Sequence, residues 1–262
     1  MVIKPRKVGI VCRGESEDLR LLDEITDRIK DEVEVVIKGV GDVAQLGDVD
    51  VIICMGGDGT LLRTLHALEA PIPVVGINMG GVGFLADIPP EDAVATVLKI
   101  LEGFEVERRE RLAVSIGGER LPYAMNEAVV LTARPAKILH FAIFVDDSEL
   151  ERLRADGVIF ATPTGSTAYA MSAGGPIVDP RVDACIIVPL APFALSARPV
   201  VVPADSKVRL KLLEKNAELV MDGQLYREIE SGEEIEITKG EPAFFVKTAE
   251  NFFSKVKSKL RI

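Results

Sequence analysis

The chain has 262 residues, enough for one large domain or two modest ones, and 48% of them are hydrophobic, which allows a sizeable core. Its 31 basic and 41 acidic residues give a formal charge of −10. This excess of acidic residues argues against a general surface for nucleic acid or an anionic membrane, so any phosphate site must be local.

Neither a signal peptide nor a membrane helix is predicted. The apolar run after the basic N-terminus, residues 8–12, is too short for a signal peptide. The longest apolar run, residues 184–194, contains Pro189 and Pro192 and falls short of the ~20 residues that a membrane helix needs. We therefore expect a cytoplasmic protein.

The three cysteines, Cys12, Cys54 and Cys185, lie within or beside apolar strand-like runs, and none belongs to a C-x-x-C pair. We interpret them as buried reduced thiols rather than as metal or redox ligands. Because the chain has only two histidines, His66 and His140, it has almost no material for a His-based zinc site, and we predict no metal-ligating residues.

The first part of the chain, residues 1–103, alternates strand and helix patterns and predicts an α/β domain. Leu22, Ile25 and Ile29 line one face of its first predicted helix. The predicted elements are strands over residues 7–12, 33–37, 51–55 and 73–78, a helix that Ser16 caps, a helix after Thr60 with Leu61, Leu65 and Leu68 on one face, and a helix over 90–101 with Val94, Val97, Leu98 and Leu101 inward.

The stretch of residues 51–60 joins a buried strand to a helix through the turn Gly-Gly-Asp-Gly-Thr. Glycines let a backbone approach a phosphate closely, and the free N–H groups at a helix start attract negative charge. The turn also places an acid, Asp58, between glycines, and it lacks both the Gly-Lys-Ser/Thr of a P-loop and a Gly-x-Gly-x-x-Gly spacing. The pattern therefore predicts an anion site with a carboxylate beside it.

A second glycine loop follows the strand over residues 73–78 and carries Asn78, Gly80, Gly83 and Phe84. In doubly wound sheets, ligands lie beyond the carboxyl ends of the strands. Both glycine loops lie at such ends, so we expect them to face one crevice.

From residue 104 the helical periodicity gives way to short strand patterns, among them a hairpin at residues 112–120 and an alternating run at 139–145. Many short strands with turns between them predict a β-sandwich-like domain over residues 104–246. The tail beyond it has Phe252, Phe253, Val256 and Leu260 at helical spacing.

Two polar stretches interrupt this β region. Asn126-Glu127 lies inside an apolar strand, where an unsatisfied buried polar group costs about 1–3 kcal/mol. An amide suits the edge of a purine, although the pair also fits a strand end. Residues 162–169 follow a strand with four hydroxyl-bearing side chains and Tyr169, which suit sugar hydroxyls or, alternatively, the cap of a helix.

The turn of residues 56–60 resembles the signature shared by NAD kinases, diacylglycerol and sphingosine kinases and, more loosely, 6-phosphofructokinases. Asn126-Glu127 and the segments 155–157 and 162–169 narrow this resemblance to the NAD kinase family. The resemblance spans nearly the whole chain. It implies that the C-terminal segment, residues 247–262, returns to the first domain.

The resemblance implies transfer of the γ-phosphate of ATP, or of a phosphate from polyphosphate, to the 2′-hydroxyl of the adenosine ribose of NAD, giving NADP. Asp58 would be the general base, and a helix cap is its alternative role. Mg²⁺ or another divalent cation is expected to accompany the phosphoryl donor.

Carried over position by position, the resemblance implies one set of ligand-binding residues. Gly56, Gly57, Gly59 and Thr60 form the phosphate loop, and Asn78, Gly80, Gly83 and Phe84 form the second glycine loop. The residues expected to bind NAD or the nucleotide are Asp58, Gly59, Arg63, Asn126, Glu127, Lys137, Arg154, Asp156, Thr167, Ala168, Tyr169, Ala170, Met171, Ser172, Ala191 and Gln224.

Two other functions share some of these features. A lipid kinase is disfavoured by the 162–169 motif and by the lack of a basic face, and a catalytically silent NAD(P)-binding sensor is disfavoured because Asp58 is intact. The resemblance also implies a homodimer or homotetramer, and we expect no nucleic-acid or membrane partner.

Overall fold

The computed structural model describes residues 2–14, 16–68, 70–80, 83–134, 136–248 and 251–260, with the backbone alone for residues 16–18. The chain forms two compact units. Unit 1 comprises the residues up to Arg108 and those from Ala243 onward, and unit 2 comprises Arg109–Pro242. None of the described helices is long and apolar enough to cross a bilayer.

The elements are named in chain order. The strands are β1 (Lys7–Cys12), β2 (Glu34–Gly39), β3 (Val51–Gly56), β4 (Val74–Asn78), β5 (Val106–Arg109), β6 (Leu112–Ile116), β7 (Glu119–Arg120), β8 (Glu127–Thr132), β9 (Leu139–Val145), β10 (Ser148–Ala155), β11 (Gly157–Ala161), β12 (Ala184–Leu190), β13 (Val200–Pro203), β14 (Val208–Glu214), β15 (Ala217–Met221), β16 (Leu225–Ile229), β17 (Glu234–Lys239) and β18 (Ala243–Val246). The α-helices are α1 (Ser16–Ile29), α2 (Asp58–Ala67), α3 (Ala93–Glu102), α4 (Tyr169–Ser172) and α5 (Phe252–Leu260).

Unit 1 is built on one six-stranded sheet with the order β2-β1-β3-β4-β18-β5. The strands β1 to β4 pair in parallel, and β18 pairs in parallel with β4. Every residue of β3 is buried, which explains its continuous apolar run, because parallel strands are covered on both faces. The predicted inward face of α1 is confirmed, since Leu22, Ile25 and Ile29 are buried.

The helices of unit 1 differ from the sequence prediction in two places. Residues 90–92 form a 3₁₀ turn, so α3 begins at Ala93. On α3, Ile100 is buried, whereas Val94, Leu98 and Leu101 are only partly buried. In α5 the prediction of an apolar inner face is wrong in part, because Phe253 is 57% exposed and Lys255 is only 6% exposed. The buried lysine is tolerated because a carboxylate lies opposite it.

Some predicted features lie outside the described part of the chain. They are the side chain of Ser16, proposed as a helix cap, residues Gly81 and Val82 of the second glycine loop, and Ala249 at the start of the tail.

Unit 2 contains two six-stranded antiparallel sheets, with the orders β10-β9-β14-β17-β6-β7 and β13-β12-β11-β8-β15-β16. One hydrophobic core joins both sheets and includes Phe141 of β9, Phe160 of β11 and Leu210 of β14. The sheets therefore pack face to face as a sandwich. The predicted fold is confirmed: an α/β unit precedes a β-sandwich-like unit, and the C-terminal segment returns to the first unit.

Phe160 is fully buried in the core that joins the two sheets. We expect Phe160→Ala to lower the free energy of unfolding by about 3–5 kcal/mol, because a large cavity replaces the ring. Urea unfolding followed by circular dichroism measures this loss. Phe253→Ala, at a 57% exposed phenylalanine, is the matched control and should change stability by less than about 1 kcal/mol. Equal losses in the two variants would contradict the assignment of Phe160 to the core.

Candidate active site

The glycine loop of residues 56–60 joins the end of β3 to the start of α2. A Cβ on Gly56 would lie 2.3 Å from the hydroxyl oxygen of Thr60, so this turn needs glycine. A Cβ on Gly57 or Gly59 would meet no described atom within 4 Å. The backbone at these two glycines therefore leaves room for a phosphate group to approach the first turn of α2.

Asp58 is the first residue of α2, and its carboxylate accepts three hydrogen bonds from consecutive backbone N–H groups of the second glycine loop. Phe84 donates to Oδ2 at 2.8 Å, while Leu85 and Ala86 donate to Oδ1 at 3.0 and 2.8 Å. Gly57 caps the helix without any side-chain bond, so Asp58 does not cap its own helix. Among the described residues, Phe84 is the only donor to Oδ2, and because each carboxylate oxygen has two lone pairs, one remains there for a further hydrogen bond.

The second glycine loop returns alongside β4 to reach Asp58. The N–H of Asn78, at the end of β4, donates to the carbonyl oxygen of Ile88 at 2.7 Å and fixes the far end of the loop. A Cβ on Gly83 would lie 2.7 Å from Oδ1 of Asp58, so this close approach requires glycine. The N–H of Gly80 donates to the side chain of Asn78 at 3.2 Å. The structure thus joins the two glycine loops through the Asp58 carboxylate.

Arg63 lies on α2 one turn after Gly59, with its side chain exposed. Within the described part of the chain, its guanidinium makes no hydrogen bond or ion pair. Its five N–H donors are therefore available to an anion near the start of the helix.

In unit 2, a second buried carboxylate fixes the Asn126-Glu127 pair. Asp222, in the turn between β15 and β16, accepts the N–H groups of Met125 at 2.6 Å, Asn126 at 2.7 Å and Glu127 at 2.9 Å. Its own N–H donates to the carbonyl oxygen of Glu127 at 3.0 Å. The sequence predicts a hairpin turn at Asp222-Gly223, but it gives no signal that the carboxylate binds residues almost a hundred positions earlier in the chain.

Glu127 is the most perturbed acid of this site. Its carboxyl is buried, and its Oε2 has no hydrogen-bond partner among the residues that the structure describes. Burial and, secondly, the charge of Asp222 raise the pKa of Glu127 to about 8, although the N–H of Tyr169 donates to the carboxyl and opposes the shift. Glu127 therefore carries a proton at neutral pH.

Residues 162–169 form a turn that lies directly against Asn126. A Cβ on Gly165 would lie 2.0 Å from the carbonyl oxygen of Asn126, so the two backbones are in contact. The hydroxyl of Thr162 donates to the carbonyl oxygen of Met125 at 2.7 Å and accepts the N–H of Gly165 at 2.9 Å. The cap residues of α4 and of the 3₁₀ helix before it, Thr164–Thr167, make no side-chain bond. The Thr162 hydroxyl nevertheless binds an N–H of the first 3₁₀ turn in the manner of a cap, so the capping role predicted for this stretch is met by Thr162.

The other predicted residues of this turn differ in their exposure. Tyr169 is 44% exposed beside Glu127, whereas Ala170 is buried. Of the remainder, Thr167 is buried, Ala168 and Met171 are half-buried and Ser172 is exposed.

A second group of predicted residues lies at the opposite end of β11. This strand pairs its last residue, Ala161, with Glu127, whereas Arg154 and Asp156 come just before its first residue, Gly157. Its five residues separate the two ends by roughly 13 Å. Within a single copy of unit 2, Arg154 and Asp156 therefore do not lie next to Glu127.

Three further predicted residues lie in turns. Ala191 follows β12, has a φ of 44° and lies at the same end as Asp156, whose N–H donates to the carbonyl oxygen of Leu190 at 3.0 Å. Lys137 is exposed between β8 and β9, where its carbonyl oxygen accepts the hydroxyl of Thr132 at 2.6 Å. Gln224 lies in the hairpin that also holds Asp222.

Among the described residues, no group of three or more His, Cys, Asp or Glu side chains is placed so that it could hold a metal ion.

Two family models match the chain. The ATP-NAD kinase N-terminal domain matches residues 23–104, and the ATP-NAD kinase C-terminal domain matches residues 125–248. The two models together cover both glycine loops, the Asn126-Glu127 pair and the 162–169 turn.

Relatives that align over nearly the whole chain are also NAD kinases. The NAD kinase of Methanosarcina acetivorans is 44% identical over 271 residues, covering 97% of this chain and 98% of its own, and that of Methanothermobacter thermautotrophicus is 45% identical, covering 97% and 96%. The crystal structure of an NAD kinase from Archaeoglobus fulgidus in complex with ATP is 37% identical, with a TM-score of 0.83 over 96% of this chain and 99% of that one. Yeast NADH kinase complexed with NADH shares the fold, with a TM-score of 0.88 over 98% and 87% of the chains at 24% identity. The chain belongs to the NAD kinase family.

Proposed function

We propose that this enzyme, which as a member of the NAD kinase family phosphorylates NAD, uses Asp58 as the general base. The substrate hydroxyl is the 2′-hydroxyl of the adenosine ribose of NAD, the donor is ATP or polyphosphate, and the product is NADP. One observation carries the proposal: three backbone N–H groups fix the Asp58 carboxylate beside the glycine loop, while Oδ2 retains a free lone pair.

The reaction needs few groups on the protein. The ribose oxygen attacks the terminal phosphorus of the donor, the bond from that phosphorus to the bridging oxygen breaks, and the hydroxyl proton passes to Oδ2 of Asp58. ADP leaves when ATP is the donor. Because the transition state of phosphoryl transfer is loose, positioning and charge stabilisation supply most of the rate enhancement.

The donor phosphates are proposed to bind at the start of α2, which has ten residues. The open backbone at Gly57 and Gly59 and the N–H groups of the first helical turn suit an anion. The side chains of Thr60 and Arg63, near the start of the same helix, would add further hydrogen-bond donors. We propose that Mg²⁺ or another divalent cation enters bound to the donor and neutralises phosphate charge, because Mg²⁺ keeps several waters and is usually bound through the phosphates of the substrate.

The dinucleotide is proposed to bind at Asn126, Glu127 and the turn of residues 162–169, with α4 and Gln224 at its border. The amide of Asn126 can both donate and accept, and the protonated carboxyl of Glu127 offers a donor. Glu127 can therefore bind an acceptor atom of the ligand near neutral pH and loses that ability as the pH rises past about 8.

We also propose a homodimer or homotetramer in the cytoplasm. Arg154, Asp156 and Ala191 lie at the far end of β11 from Glu127, which supports a role for them in the site of a neighbouring copy. Cys54 and Cys185 are buried and form no disulfide, in keeping with a reducing compartment.

Asp58→Asn tests the proposed base. The amide keeps the size of the carboxylate, and its oxygen can still accept the N–H groups of Leu85 and Ala86, but it cannot take up the hydroxyl proton. We expect kcat for NADP formation with NAD, Mg²⁺ and either ATP or polyphosphate to fall by about 10²–10⁴-fold, with NAD affinity retained.

Asp48→Asn is the control for this change, because Asp48 is an exposed carboxylate of the same unit. It should leave both kcat and NAD binding unchanged. If Asp58→Asn keeps a kcat within a few-fold of that of Asp48→Asn, Asp58 is not the base.

The pKa of Glu127 predicts how stability depends on pH. Below pH 4.5 the carboxyl is protonated whether the chain is folded or unfolded. Between pH 4.5 and about 8 only the folded chain keeps the proton, so stability falls as the pH rises, by at most about 1.4 kcal/mol per pH unit. Above about 8 both states are ionised and this contribution no longer changes.

We therefore expect Glu127→Gln to gain stability relative to wild type as the pH rises from 4.5 to 8. The measurement is the urea midpoint as a function of pH. Glu218→Gln, at an exposed glutamate of β15, should follow the wild-type profile. A Glu127→Gln profile parallel to wild type would show that Glu127 titrates at its ordinary pKa.

A further inference from the structure

Helix α5 contacts Asp87, just after the second glycine loop, through a buried ion pair. The ammonium group of Lys255 is paired with Oδ2 of Asp87, and the exposed fractions of the two side chains are 8% and 7%. The hydroxyl of Thr248 donates to the same oxygen at 3.2 Å. A lysine is almost never buried without such a partner, so this ion pair fixes how α5 lies on residue 87.

A second lysine of α5 contacts Gly83 and Phe84 of the second glycine loop. The ammonium group of Lys259 donates to the carbonyl oxygen of Gly83 and lies 5.6 Å from the centroid of the Phe84 ring. It thus combines a charged hydrogen bond with a cation–π contact. Lys255 and Lys259 are four residues apart, which places them on one face of the helix.

The two contacts lie on either side of the donors that bind Asp58. Lys259 contacts residues 83 and 84, Lys255 contacts Asp87, and the N–H groups between them, at residues 84, 85 and 86, donate to the Asp58 carboxylate. A shift of this segment would change the direction of all three donors together. The orientation of the carboxylate therefore depends on a helix about 200 residues later in the chain.

We propose that Lys255 and Lys259 are positioning residues that hold the segment of residues 83–87 so that its N–H groups orient Asp58 for catalysis. The proposal rests on the function proposed for Asp58. Neither lysine touches Asp58 in the structure, and each acts through the backbone of the loop.

Lys259→Met tests this proposal, because methionine keeps the apolar stem and removes the charge and the donor. Lys257→Met is the matched control, since Lys257 lies on the same helix with an exposed side chain. We expect Lys259→Met to lower kcat by about 10-fold or more with the KM values for NAD and ATP within about 2-fold, because a misdirected base slows the chemical step more than it weakens binding. Lys259→Arg keeps the cation and the donor and should retain most of the activity.

Two further measurements separate positioning from a general structural role. Amide hydrogen exchange at Phe84, Leu85 and Ala86 should speed up by about 10-fold or more in Lys259→Met and stay at the wild-type rate in Lys257→Met. In the Asp58→Asn background, Lys259→Met should lower kcat by less than about 2-fold, since the oriented base is already absent. Lys259→Gln replaces the methionine variant if that variant does not fold.

The outcomes also distinguish this proposal from the proposed function. If Lys259→Met matches Lys257→Met in kcat and in exchange, or lowers kcat equally with and without Asp58, the positioning role is wrong. If Asp58→Asn turns over like wild type, the proposed base is wrong, and exchange at residues 84–86 still decides whether Lys259 holds the loop.

Discussion

The Asp58 carboxylate, with its three backbone donors, is the contact on which the candidate active site depends. It joins the loop after β3 to the loop after β4, and the tight approach between them leaves no space for a side chain at Gly83. Backbone N–H groups are well suited to this task, because they add no positive charge and occupy only part of the acceptor capacity of a carboxylate. The same group is thereby held in place and left able to accept a further hydrogen bond.

Unit 2 uses the same interaction with a different result. Asp222 also accepts three consecutive N–H groups, those of residues 125–127, but it lies in a buried turn beside a second acid. Burial is the main cause of the raised pKa of Glu127, and the charge of Asp222 adds to it. In each unit an aspartate next to a glycine thus anchors a segment of the candidate site by accepting three backbone N–H groups.

The sequence predicts the local parts of this arrangement well and the long-range parts poorly. The run of β3, the glycines after it and the periodicity of α1 are local signals, because burial on both faces and one inward helical face leave direct marks on composition. The partners of Asp58 lie 26 to 28 residues away and those of Asp222 more than ninety, where no spacing rule applies.

The inner face of α5 shows the same limit. Phe253 satisfies the apolar periodicity and is nevertheless exposed, while Lys255 is buried because it forms an ion pair with Asp87. The resemblance to the NAD kinase family gives the expected roles of the candidate site residues. It did not supply the separation of Arg154 and Asp156 from Glu127 along β11, which only the strand register reveals.

The position of β18 has a consequence for biosynthesis. This strand lies between β4 and β5 in the sheet of unit 1, although all of unit 2 precedes it in the chain. Unit 2 is one continuous segment and can fold as soon as it leaves the ribosome, whereas the sheet of unit 1 stays divided until residues 243–246 have been translated. The part of the enzyme that is made first is therefore completed last, because its sheet gains β18 only after all of unit 2 has been synthesised.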